Sequence, residues 1–338
     1  MQLAYSRDEL LSDHRYQRPH VVRDRAFHGG FDAEGRYVSP RSKRRLEGIR
    51  NWGRALRMRG GELQSIDFDP AEVAPYPNEP QLRHLIRTGH DEHFWDLLTD
   101  VGRAEARGAV LAALQVPDFR EVLADDTREW ALGHLGGGLL EAHGLDEGGD
   151  SAGGPGAHDR MWTLIRDLSM GEEKHPIPRA LVPPPPRTPS RRIPEIPEAH
   201  ERFLRFLMVV LIIEVRALPF LEKTRARFAD PDVFGDRSVE AREAADLVAR
   251  IRQDEKIHVA GLRAVLGELN HATFLTEDGP CPGHRLLAPV WETHVRFMNT
   301  TAPQFETRRL RGRLAERLGA GPEGKRLLDE LAALDADH

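Results

Sequence analysis

Val248, Ile251, Leu262 and Val265 share one face of a 3.6-residue helix, and Glu255 and His258 sit on that same face. Phe203, Leu207, Val210, Ala217 and Leu221 form a second stripe, broken by Glu214. Met161, Ile165 and Leu168 form a third, which runs into Glu172 and His175. An unpaired carboxylate on a buried face costs several kcal/mol, roughly, unless a counter-charge or a metal ion meets it. A chain that repeats this pattern must pack helices whose inner faces meet around polar groups.

The rest of the sequence fits that demand. The pattern predicts helices over 81–114, 118–143, 158–175, 198–229, 238–270, 284–318 and 322–334, with one more near Pro40–Arg59. Flexible Gly-rich sequence at 146–157 and a Pro-rich crossover at 176–197, containing Pro183–Pro186, separate them. No strand-period run of useful length appears. The expected organisation is an irregular, Arg-rich arm over 1–78, a metal-binding helical bundle over 79–275, and C-terminal helices over 276–338 packed on it. The fold class expected is all-α, a four-helix bundle with extra helices.

Two Glu-x-x-His pairs, Glu172/His175 and Glu255/His258, each follow a glutamate with apolar neighbours, Glu141 and Glu214. This is the ligand set with which a four-helix bundle holds two metal ions. Depth supports the second half. Glu214 lies about 15 residues, roughly 22 Å, before its helix ends, and Glu255 about 17 residues, roughly 25 Å, into the next. The first half requires the helix of Glu141 to continue through Gly144. His143 or His134 is the alternative ligand there. A third pair, Glu268/His271, sits at a helix end and reads as a chance match. His294, on the stripe Leu287, Trp291, Met298, reads as a core histidine, with a seventh ligand or a pocket residue as the alternatives. Gly136–Gly138 could admit substrate beside Glu141, or simply allow close packing. Pro219 in an apolar helix should kink it and open a pocket there.

The set Glu141, Glu172/His175, Glu214, Glu255/His258 resembles that of the ferritin-like diiron-carboxylate superfamily, over about residues 135–265. The resemblance implies a ferritin-like bundle holding two Fe ions, or Mn and Fe. It implies O₂-dependent oxidation of a small-molecule substrate by hydroxylation, N-oxygenation or desaturation, with electrons from an external donor. In that family's Asp-Glu-x-x-His form the aspartate orients a ligand histidine, a role that falls here to Asp254. Gly171 stands in the equivalent place of the first motif. Homodimers are common in such bundles.

Composition narrows the classes. One cysteine, Cys281, excludes an internal disulfide and a Cys-x-x-Cys metal knot. The most apolar run, 203–221, is interrupted by Arg205, Glu214 and Arg216, so no membrane span is expected. The chain opens without an apolar leader, which points to the cytoplasm. Residues 1–60 carry 14 Lys/Arg against 7 Asp/Glu, leaving the remainder acidic. The arm's Trp52, Phe27, Phe31 and Tyr37 favour wrapping on the acidic body over nucleic-acid binding. A non-catalytic metal- or ligand-binding bundle and an RNA-directed hydroxylase are the alternative readings.

Overall fold

The structure is a computed structural model that describes residues 1–69, 76–178, 191–319 and 321–336. The helices are α1 (Arg7–Leu10), α2 (Arg45–Met58), α3 (Glu79–Arg87), α4 (Glu92–Gly108), α5 (Leu140–Glu147), α6 (His158–Met170), α7 (Glu198–Ala229), α8 (Pro231–Phe234), α9 (Ser238–His271), α10 (Gly283–Arg296), α11 (Ala302–Leu318) and α12 (Pro322–Ala336). The chain is mostly helical, an all-α fold. The Pro183–Pro186 crossover lies outside the described residues.

The long helices α7 and α9 follow the apolar stripes and pack along each other. Their connection is only the short turn at α8, where Asp230 caps the helix by accepting from Asp232 N. Helix α6 packs on both α4 and α9, and α5 on α4. Phe203, Leu207 and Leu211 of α7 are buried in one core cluster with Leu262 and Val265 of α9. Trp95, Trp162 and Ile165 fill a second with Val248 and Ile251. Each fully buried large side chain contributes about 1.5–3 kcal/mol of transfer free energy.

Elsewhere glycine decides where helices stop. The expected helix 81–114 is broken at Gly89, whose φ of 78° lies in the left-handed region that favours glycine. The expected helix 158–175 ends at Met170, because Gly171 (φ 101°) and Glu173 (φ 54°) turn the chain away. The expected helix 118–143 is instead a series of tight turns, with a π-turn over Leu135–Leu139 in which Gly138 has φ 126°. Only then does α5 begin, and it continues through Gly144 to Glu147. Helix α7 runs through Pro219 without interruption.

The arm is not irregular. Strands β1 (Arg18–Val22), β2 (Arg25–Phe31) and β3 (Tyr37–Val38) form an antiparallel sheet, and β4 (Thr273–Thr276) pairs β5 (Gly279–Pro282) in a hairpin. The strand period escaped notice because its inward positions include His20 and His28 rather than aliphatic residues only. Strand β2 also bonds the segment before α6, with His28 N donating to Gly156 O and Gly156 N to Ala26 O, each 2.9 Å. Trp52, Phe27 and Phe31 are buried. The arm packs on the acidic body through Arg23–Glu243, Arg25–Glu172, Arg41–Asp146 and Arg45–Asp146. Among the described residues no helix is long and apolar enough to cross a membrane.

Candidate metal centre

Four glutamates and three histidines meet in the interior between α4, α5, α6, α7 and α9. They are Glu105, His143, Glu147, His158, Glu214, Glu255 and His258. Two overlapping groups, His143/Glu147/Glu214/His258 and Glu105/Glu147/His158/Glu255, each offer ligand atoms within 4.8 Å of one another. One ion with ligands at roughly 2.0–2.6 Å closes such a spread with sub-ångström shifts. Glu147 belongs to both groups. Glu255 touches both, with Oε1 3.2 Å from His158 Nδ1 and Oε2 2.8 Å from His258 Nδ1. The arrangement is therefore two adjacent positions joined by two shared carboxylates.

Each position rests on local geometry. His143 and Glu147 lie four residues apart on α5, hence on one face. Glu255 and His258, three apart on α9, do the same. His143 Nε2 lies 2.9 Å from Glu214 Oε1, and His258 Nδ1 lies 3.1 Å from Glu147 Oε1. His158, at the start of α6, aims Nδ1 at Glu147 (3.6 Å) and Glu105 (3.9 Å). Trp162 Nε1 donates to Glu105 at 3.0 Å and holds it in place.

Two buried aspartates orient two of the rings. His258 donates from Nε2 to Asp146 at 3.0 Å, and His158 from Nε2 to Asp254 at 3.3 Å. Each bond leaves Nδ1 facing the carboxylates, the tautomer a metal ligand needs. Asp254 also accepts from the Tyr37 hydroxyl at 3.0 Å and lies 3.5 Å from His28 Nε2. Asp146 accepts from Arg41 Nε at 3.0 Å and from Arg45 Nη2 at 2.6 Å.

The charges show what the metal-free pocket must tolerate. Burial opposes charge on both His158 and His258, yet the surrounding carboxylates outweigh it and hold both rings protonated well above the usual range. Burial and the neighbouring Glu147 carboxylate push Glu105 well up. Burial works against Asp146 too, but Arg45, Arg41 and His258 hold it well below the ordinary carboxylate range. Even so, His158 Nδ1 and Glu147 Oε1 are buried without a hydrogen bond of acceptable geometry. These two face each other at 3.6 Å across the pocket, held there by ion-pair contacts alone. Four carboxylates match the charge of two divalent ions. The residues present fit such a pair.

Comparison of the chain with protein-family models, with curated proteins and with solved structures finds no match. The donor set itself must therefore carry the reading.

Of the second sequence-derived half-site, the structure brings Glu214 and Glu255 to His258, while Asp254 stands behind His158 and Asp146 takes the place behind His258. The first half-site is not assembled. Glu141 points to the surface and pairs with Arg7, its Oε2 accepting from Nε at 2.6 Å. Glu172 is exposed and bonds Arg25 at 3.2 Å, while His175 bonds Asp91 at 2.9 Å. Both follow the break at Gly171, so neither shares the inward face of α6. His143, the alternative ligand of the first half-site, stands among the clustered donors. His294 is half-buried on α10 and belongs to none of the clustered groups. His134 accepts from Tyr5 N and bonds Trp130 O, a structural role. Glu268, of the third Glu-x-x-His, accepts from Ala131 N and Leu132 N.

Glu105, Glu147 and His158 went unseen in the sequence. Glu105 stands in Arg-Ala-Glu-Ala-Arg, which reads as a solvated turn, and His158 follows a Gly-rich loop. One signal was available: His143-Gly-Leu-Asp146-Glu147 holds the same Asp-Glu pair and histidine as Asp254-Glu255-Lys-Ile-His258, with the histidine at the opposite end.

A cavity of about 30 Å³ borders His143 and His258, walled by Leu135, Leu139, Ile257, Leu262 and Val265, with Arg45 at its edge. Leu135 and Leu139 come from the Gly-rich π-turn, and neither Gly136–Gly138 nor Pro219 is among the lining residues.

Proposed function

We propose that this chain is a dinuclear metal enzyme that uses O₂ to oxidise a small organic substrate. The ions would be two Fe, or Mn and Fe, since hard carboxylate oxygens with a few imidazole nitrogens suit these metals. His143, His258 and Glu214 would hold one ion and His158 and Glu105 the other, with Glu147 and Glu255 shared. The observation that carries the reading is the convergence of four buried or half-buried carboxylates and three imidazoles into two overlapping groups whose ligand atoms lie within 4.8 Å of one another. Two such ions, reduced by an external donor, supply the electrons and open coordination positions that O₂ chemistry requires.

The protein's own part is geometric and electrostatic. Asp146 and Asp254 set the tautomers of His258 and His158. The buried cluster excludes bulk water, and the leucine-lined cavity beside His143 and His258 offers an apolar approach. The volume of that cavity, about 30 Å³, admits a diatomic molecule or a water or two. It does not hold an organic substrate of many atoms. This favours a second reading, a bundle that binds metal without turning over an organic substrate.

The test is anaerobic loading with ferrous iron, followed by metal analysis and O₂ uptake. Two ions per chain and O₂ uptake that depends on an organic substrate support the enzyme. Two ions without substrate-dependent uptake support the second reading. No bound metal in wild type, with the same result as Glu147→Ala, removes both.

A further inference from the structure

The two metal positions share Glu147 and Glu255 but stand on different foundations. Behind the His143/His258/Glu214 position is Asp146, which carries two guanidinium groups, Arg41 and Arg45, so this outer layer sums to one positive charge. Behind the His158/Glu105 position is Asp254. Among the described residues its direct partners are a tyrosine hydroxyl and two imidazoles, with no lysine or arginine; Arg41 reaches it only across His28, whose Nδ1 lies 3.5 Å from Arg41 Nη2. Its Oδ1 is buried and unpartnered. A carboxylate without a fixed counter-cation draws the His158 ring proton more strongly and makes that ring the better donor.

From this asymmetry, we infer that the two positions are unequal and that a divalent ion fills the His158/Glu105 position first. The inference rests on the dinuclear reading. The extra imidazole at the other position works in the opposite direction. One neutral ligand, however, adds less than the difference between a positive and a negative outer layer acting on a doubly charged ion in a buried site. The N-terminal arm thereby sets the order of loading, because Arg41, Arg45, Tyr37 and His28 all belong to it.

The probe is Mn(II) titrated into the metal-free full chain, with free Mn(II) read by electron paramagnetic resonance. Wild type should bind in two steps. Glu105→Gln should remove the tight step and Glu214→Gln the weak one. Asp254→Asn should weaken the tight step about 10–100-fold, the usual effect of removing such a partner, and change the weak step much less. Arg41→Met should tighten the weak step. Arg41 is the more exposed of the two arginines, so this variant decides the question if Asp254→Asn does not fold. Loss of the tight step in Glu214→Gln, equal weakening of both steps in Asp254→Asn, or two indistinguishable steps in wild type would overturn the loading order alone. Binding of no ion at all would overturn the dinuclear reading with it.

Discussion

The imidazoles of His143 and His258 lie stacked, ring centroids 3.8 Å apart and planes 19° from parallel, although they come from α5 and α9. His258 donates from Nε2 to Asp146, which turns its Nδ1 toward the carboxylates. His143 Nε2 lies 2.9 Å from Glu214 and 3.7 Å from Glu147, so both rings present a nitrogen to the same carboxylates.

His143→Ala should therefore cost about one metal ion per chain, whereas Glu141→Ala, two residues away, should leave metal content unchanged. Glu141 pairs with the exposed Arg7, so its loss should leave Tm close to that of wild type. Elemental analysis of both variants beside wild type decides this. Metal loss in Glu141→Ala would return that residue to the ligand set.

Glu147→Gln should remove both ions, because Glu147 belongs to both positions, while Glu172→Gln should remove none. Glu172 is exposed and bonded only to Arg25. Retention of a full complement in Glu147→Gln would show that the carboxylate is not shared.

Gly144→Ala should disturb the site from outside it. A Cβ there would lie 2.4 Å from Ala112 N, and backbone cannot move aside as a flexible side chain can. Helix α5 would have to shift, carrying His143 and Glu147 with it. Overpacking of this kind costs about 1–3 kcal/mol, and a lower Tm together with reduced metal content is expected. A lower Tm with full metal content would separate the packing effect from the site.

Arg45→Met should destabilise the fold. Arg45 and Asp146 are both buried, and Asp146 would keep only Arg41 and His258 as partners, so the loss should stay below the roughly 3–5 kcal/mol of breaking a lone buried pair. Chemical denaturation should show a midpoint below wild type. Arg45→Lys should recover part of it, but not the guanidinium's contact with Pro40 O.

Metal and pH should be linked in opposite directions in the two forms. His158 and His258 have folded-state values raised above the usual 6.5, despite burial, by the carboxylates around them. Raised groups of this kind stabilise the metal-free fold below pH 6.5, and that stability is lost as pH rises through their folded values. Glu268 acts in the same sense lower down. Burial raises it to about 7, so its contribution is full below 4.5 and lost as pH climbs to 7. The metal-free protein should thus have a lower Tm at pH 8 than at pH 6. Metal affinity should rise over the same interval, since ions must displace the protons on the two rings. Affinity that falls with pH would show that these histidines are not ligands.

The sequence by itself determined the helical class, the long pair α7 and α9, and the level at which Glu214 meets Glu255 and His258. These follow from periodicity within uninterrupted helices, where 3.6 residues per turn fixes both face and depth. It also determined that the basic arm carries aromatic residues in need of burial. Only tertiary structure decided the other half of the centre. Glu105 and His158 sit at helix ends, where flanking polar sequence hides an inward direction, and α5 is too short to show a stripe. Left-handed glycines at 138 and 171 set where α5 can start and α6 must stop. That is why the clustered donors are His143, Glu147 and His158 rather than Glu141, Glu172 and His175. Backbone conformation at single glycines, and the approach of an arm 100 residues and more distant in sequence, are not written in any local pattern.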